Sequence, residues 1–190
     1  MKIITISSLK GGVGKTTLSV FTARALAGSG ARVLGIDLDH NNNFTDYTLR
    51  DTPTEFIDAK NVYHALNKSA PVDSTIWVEP RGYCGYDVIP ATPALSRIGY
   101  ELARDPGVAM RFRSALKKLD YDYVVIDTPP SLSLELTIGL YAADLVLVPV
   151  SASRWTVQGY QIITDEVRGI EEAIGRAPEL MVVPSMVTPM

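Results

Sequence analysis

The sequence predicts an α/β fold, with a mostly parallel central sheet flanked by helices on both faces. Three observations carry that prediction. Short continuous apolar runs alternate with helical patterns along the chain, the habit of a sheet built from strand–helix–strand units. A glycine-rich loop joins the first run to the first helical pattern, and two later runs close on aspartates, Asp37 and Asp127. Runs without polar alternation suit strands covered on both faces, as parallel strands are.

The expected central strands are residues 3–6, 33–36, 123–126, 145–150 and 180–183. Between the first two, residues 16–27 place Leu18, Phe21, Ala25 and Leu26 at roughly helical spacing, and Gly28-Ser29-Gly30 ends the pattern. Residues 51–80 are irregular, with a short helix expected at 61–67 before Pro71. A turn-rich stretch then leads to a strand at 86–89. In residues 108–119, Val108, Phe112, Ala115, Leu116 and Leu119 share one helical face. Arg111, Arg113, Lys117 and Lys118 fall away from it and read as a solvated charged face. The last segment, 181–190, reads as a strand followed directly by the chain end.

At 190 residues the chain suits one domain with a sizeable core. Its apolar and charged fractions, 46% and 21%, are ordinary globular values. No apolar stretch approaches the roughly 18 residues of a membrane span. Met1-Lys2 runs straight into the first strand, leaving no room for a signal peptide, so a cytoplasmic location is expected. The single cysteine, Cys84, excludes an intrachain disulfide and lacks Cys or His neighbours for a metal site, which leaves a structural or surface thiol. A net charge of −3 gives no global attraction to DNA, although a local basic patch can supply one.

The chemistry concentrates in Lys10-Gly11-Gly12-Val13-Gly14-Lys15-Thr16-Thr17. Three glycines let the backbone turn tightly and aim several N–H groups at one oxygen-rich ligand, and the following helix adds its positive end. A di- or triphosphate fits such a cradle. Lys15 is expected against the β and γ phosphates, Thr16 on Mg²⁺ beside them, and Thr17 nearer the α phosphate. The usual Gly-x-x-x-x-Gly-Lys-Ser/Thr loop fails at its first position, which is Leu9. Asp127 ends an apolar strand where a second Mg²⁺-side acid is needed. Asp37 and Asp39 emerge from the second strand, and a spacing of two points them to the same side of an extended chain.

Lys-Gly-Gly-x-Gly-Lys-Thr-Thr resembles the deviant Walker A loop of the ParA/MinD family of dimeric ATPases, whose early lysine reaches across a dimer interface to the partner's nucleotide. The likeness extends to Thr128-Pro129-Pro130 after Asp127, which resembles the family's second switch loop, and to Asp37-Leu38-Asp39, where the family reads Asp-x-Asp-Pro-Gln-Gly-Asn. Weaker similarity in residues 86–102 and 142–150 carries it over nearly the whole chain. The resemblance implies ATP and Mg²⁺ as ligands, Lys10 as the finger given in trans, and Asp39 as the acid that orients the attacking water. His40 and Asn41 depart from the family's proline and glutamine, which bears on hydrolysis rate and on the shape of the first switch. The resemblance also implies that residues 1–190 form one phosphate-loop ATPase domain lacking the family's usual C-terminal elements.

Within that family the ParA branch is the leading expectation, favoured by Asn43, Thr45 and the Thr-Pro-Pro-Ser run. It implies a slow, partner-stimulated ATPase that dimerises on ATP, binds DNA non-specifically, associates with the nucleoid and moves plasmids or chromosomes with a ParB-like activator. The alternative is a nucleotide-dependent switch that recruits proteins or acts in membrane positioning, with little or no DNA binding. A MinD-like membrane switch needs a C-terminal basic amphipathic helix; an iron-protein reductase of this fold needs paired cysteines; a tyrosine kinase of this fold carries a tyrosine-rich tail. None of these features is in the sequence. Asn67-Lys68-Ser69-Ala70 lacks the aspartate of a guanine-reading Asn-Lys-x-Asp loop.

Overall fold

The structure, a computed structural model, describes residues 1–78, 85–151 and 154–186, with the backbone alone for 154–157. Cys84 and the last four residues lie outside the described set. Six parallel strands form one sheet in the order β3-β2-β4-β1-β5-β6. The strands are β1 (Lys2–Ile6), β2 (Val33–Asp37), β3 (Asp87–Ile89), β4 (Tyr123–Asp127), β5 (Leu145–Val150) and β6 (Glu179–Pro184). The helices are α1 (Lys15–Gly28), α2 (Asn43–Thr48), α3 (Thr54–Ala59), α4 (Val62–Leu66), α5 (Ile98–Glu101), α6 (Val108–Leu116), α7 (Leu134–Ala142) and α8 (Arg154–Ile174). No helix of the described residues is long and apolar enough to cross a membrane.

Alternate residues of each inner strand feed different cores, which is why the runs are apolar throughout. Ile4, Ile6, Val33 and Val125 meet Val20 and Ala23 of α1, together with Phe44 of α2. Ile3, Leu34, Ile36, Val124 and Ile126 face the opposite way, toward α4, α6 and α7. A third cluster joins Val146 and Val148 to Ile163, Val167 and Ile170 of α8.

Helix α1 begins one residue before the expected helix and ends one after it. Its C-terminus closes by a Schellman pattern: the Ala31 N–H reaches the Leu26 carbonyl at 3.3 Å and the Gly30 N–H the Ala27 carbonyl at 2.9 Å, with Gly30 at φ 91°. The buried face differs from the expected one. Lys15, Ser19, Val20 and Ala23 are buried, whereas Phe21 is 60% exposed. The small side chains of Ser19 and Ala23 let α1 lie close on β4. Helix α4 falls inside the expected 61–67, with Asn61 as N-cap accepting from the Tyr63 N–H at 3.0 Å.

Two expectations are corrected. β6 is an edge strand, not a central one, and most of its side chains are exposed, Met181 by 53%. The cationic face of α6 is only partly solvated. Arg113, with a side chain 15% exposed, donates to the carbonyls of Ala142 and Ala143 and pairs with Asp144 at 2.7 Å, and Lys117 pairs with Asp144 at 2.8 Å. The C-terminal carbonyls of α7, which have no partner within the helix, draw Arg113 in, and the Asp144 carboxylate draws Lys117.

Candidate functional site

The site forms where the inner strands end together. Asp127 closes β4 in register with Ile6 of β1 and Asp37 of β2. β1 therefore delivers the phosphate loop beside the carboxylate that closes its neighbour β4, with that of β2 one strand further on.

Gly12 and Gly14 lie at φ 73° and 85°, a region that side chains with a Cβ avoid, so these positions require glycine. Gly14 is also the N-cap of α1 and supplies no side-chain cap. The first N–H groups of the helix are thus left to a ligand, and no acidic side chain occupies the first turn to compete for them. Val13 is buried and ties the loop to the protein, while Gly11, Gly12 and Thr17 are exposed. Lys10 is half-buried at the loop entrance. Lys15 is buried, and its Nζ donates back to the Lys10 carbonyl at 3.2 Å, placing an ammonium along the cradle. Burial lowers its pKa, against the opposing attraction of Asp127 and Asp39.

Asp127 is gripped from two successive turns of α1. Its Oδ2 accepts from Thr16 Oγ1 at 2.8 Å and its Oδ1 from Ser19 Oγ at 2.7 Å. Burial pushes its pKa up to about 6, against the lowering effect of those two hydroxyls and Lys15. Asp37 is completely buried, and burial together with the charge of Asp127 pushes it up to about 8. Carboxylates held up in this way gain from a nearby cation. Among the described residues no three Cys, His, Asp or Glu side chains form a cage for a metal ion. Mg²⁺ takes one or two protein oxygens plus water and phosphate. The hard oxygens of Thr16 and Asp127 fit it.

The strand ends at Asp37, so the alternation expected to carry both acids does not reach Asp39. Asp37 instead accepts from the Asp39 N–H at 2.9 Å and from the N–H and hydroxyl of Thr45 at 2.9 and 2.7 Å. Thr45 Oγ1 in turn accepts from the Ala91 N–H at 2.9 Å. This knot fixes the loop after β2 and the start of α2 to the segment that follows β3. Asp39 is 5% exposed, and its Oδ1 accepts from the backbone and side chain of Asn41 at 3.0 and 2.9 Å. In the loop after β4, Thr128 Oγ1 donates to the Ile6 carbonyl at 2.8 Å, and Ser133 caps α7 by accepting from Leu136 N–H.

The structure thus brings Lys10, Gly11, Gly12, Val13, Gly14, Lys15, Thr16 and Asp127 into one cradle, with the Asp39 charge acting on Lys15. Sequence reasoning missed Ser19 and the bonding role of Thr45. Ser19 was discoverable: it lies three residues after Thr16, on the same helical face.

The sequence matches the family described as AAA domain over residues 1–180. It is 34% identical over 177 residues to the chromosome partitioning protein ParA of Myxococcus xanthus, covering 91% of this chain and 60% of that protein. The chain belongs to the ParA/MinD family of deviant Walker A ATPases. A plasmid partition protein of Borrelia burgdorferi bound to AMPPNP superposes with a TM-score of 0.85 at 28% identity, covering all of this chain and 77% of that one. The cobyrinic acid a,c-diamide synthase of Mycobacterium smegmatis with ADP and magnesium shares the fold at TM-score 0.85 and 26% identity, covering 97% of this chain and 74% of that one. The ParA/MinD fold therefore hosts different activities. The chain spans less than two thirds of the M. xanthus protein's length.

Proposed function

We propose that this chain is an ATP-dependent dimerising switch that hydrolyses ATP and binds DNA non-specifically in plasmid or chromosome partitioning. The observation that carries the nucleotide reading is the grip of Thr16 and Ser19 on Asp127 beneath an uncapped glycine loop. The N–H groups of residues 11–16 hold the phosphates, Lys15 offsets the charge of the β and γ phosphates, and Thr17 bonds near the α phosphate. Thr16 and Asp127 hold Mg²⁺, which would neutralise charge on the phosphate oxygens. Asp39 orients the attacking water. Lys10 acts on the partner's nucleotide, where a cation given in trans contributes roughly 10³ to 10⁵ in rate.

The partitioning part of the reading is supported by the likeness to the M. xanthus and B. burgdorferi partition proteins. A homodimer formed on ATP, DNA, and a ParB-like activator are its partners. The test is duplex DNA binding by Asp39→Ala with ATP against ADP across a salt series. Salt-sensitive binding with ATP alone is expected; an ATP dimer that ignores DNA would replace this reading with a protein-recruiting switch.

A further inference from the structure

A groove of about 610 Å³ lies outside the phosphate site, between α4 with the turn that follows it and α6. Its floor is apolar: Leu66, Val72, Val108 and Phe112 are nearly buried, and Ala115 and Leu119 are half-exposed. Its rim carries cations at both ends. At one end Lys68 and Arg111 converge on Asp105, at 3.2 and 2.6 Å. At the other, Lys118 is exposed and has no side-chain partner among the described residues. Asp73 also lines the groove, so with Asp105 the rim holds three cations against two anions.

We propose that this groove docks an amphipathic helix from a partner protein, with an apolar stripe and acidic residues toward the Lys118 end. Two helices flanking an apolar trough give the shape that receives a third, read by anchors at i, i+3 or i+4, and i+7. The charge arrangement selects the occupant. Lys68 and Arg111 share the single carboxylate of Asp105, so that end keeps one positive charge in excess. Among the described residues nothing pairs with the Lys118 side chain, and an acid delivered to it gives its ammonium a partner. A basic segment would meet the excess of cations and be rejected. The groove uses none of the nucleotide-site residues, so it serves as a second surface, outside the switch loops.

The test selects helical peptides roughly 16 residues long, about 24 Å as helices, from a random display library on the full chain. Enriched peptides are expected to carry an apolar stripe with net acidic flanks. Ala115→Trp, which fills the trough, is expected to weaken them by about tenfold or more, and Lys118→Glu by severalfold with a shallower salt dependence. AMPPNP binding at the phosphate loop reports that both variants remain folded. Three results would each overturn the proposal. One is failure to enrich; another is enrichment of basic peptides, or of peptides indifferent to Ala115→Trp. The third is loss of duplex DNA binding in Lys118→Glu with peptide binding intact, which assigns the rim to nucleic acid.

Discussion

Ser19 holds Asp127, the acid proposed for the magnesium side, as directly as the phosphate loop's own threonine does. It supplies one of the two hydroxyls that fix both oxygens of buried Asp127. Ser19→Ala leaves one of those oxygens without its donor, which is expected to cost about 1–2 kcal/mol in urea unfolding. The same change should raise the Mg²⁺ concentration for half-maximal nucleotide binding severalfold, with Ser19→Thr recovering it. A variant that loses stability but keeps its Mg²⁺ dependence would confine Ser19 to packing. Lys15→Ala is the sharper test of the cradle: its ammonium is buried along the loop, so binding of a fluorescent ATP analogue should vanish. Unchanged affinity would refute the placement of the phosphates. The loop's chemistry was legible because each residue type there does a separate job at fixed spacing. Ser19 carried a weaker signal, its place one turn after Thr16, which gains meaning only once the partner of Thr16 is known.

At the scale of elements, the opposite end of the sheet is held by charge. Asp144 receives Arg113, Lys117 and the Ile3 N–H, while Arg113 and Arg176 also cover carbonyls at the end of α7. Burial alone would raise the Asp144 pKa, but the bonds from Lys117, Arg113 and Ile3 overcome it and hold the group down to about 2. A depressed carboxylate stabilises the fold above its unfolded pKa. That contribution falls away as pH drops from about 4 through 2. Asp144→Asn is expected to cost about 1–2 kcal/mol at neutral pH, a fall in Tm of roughly 2–8 °C, and to flatten the acid limb of stability between those pH values. An unchanged acid limb would remove Asp144 from this role. The sequence could not reveal the cluster, because helical periodicity puts Arg113 and Lys117 away from the apolar face without saying what lies beside them. Helix α7 is missed for a related reason: buried against β1, α6 and α8, it is apolar on most sides and shows no helical stripe.

Across the whole molecule, apolar runs revealed the strands but not their places in the sheet. The run at 180–183 reads like the others, yet β6 lies at the edge with Met181 and Val182 exposed, because burial depends on what packs against a strand. The same limit holds for association: Lys10 can act in trans only in a dimer that one chain does not display. Nucleotide binding and dimerisation are then linked, so ATP strengthens the dimer by the same factor as dimerisation strengthens ATP binding. Lys10→Ala separates the two. Lys15, Thr16 and Asp127 remain in place in that variant, so ATP affinity at low protein concentration should change little. ATP should no longer shift sedimentation from monomer to dimer, even in an Asp39→Ala background, where the role proposed for Asp39 keeps hydrolysis from dissolving the pair. If Lys10→Ala still dimerises with ATP, the lysine serves its own loop, and the interface must be completed by other residues.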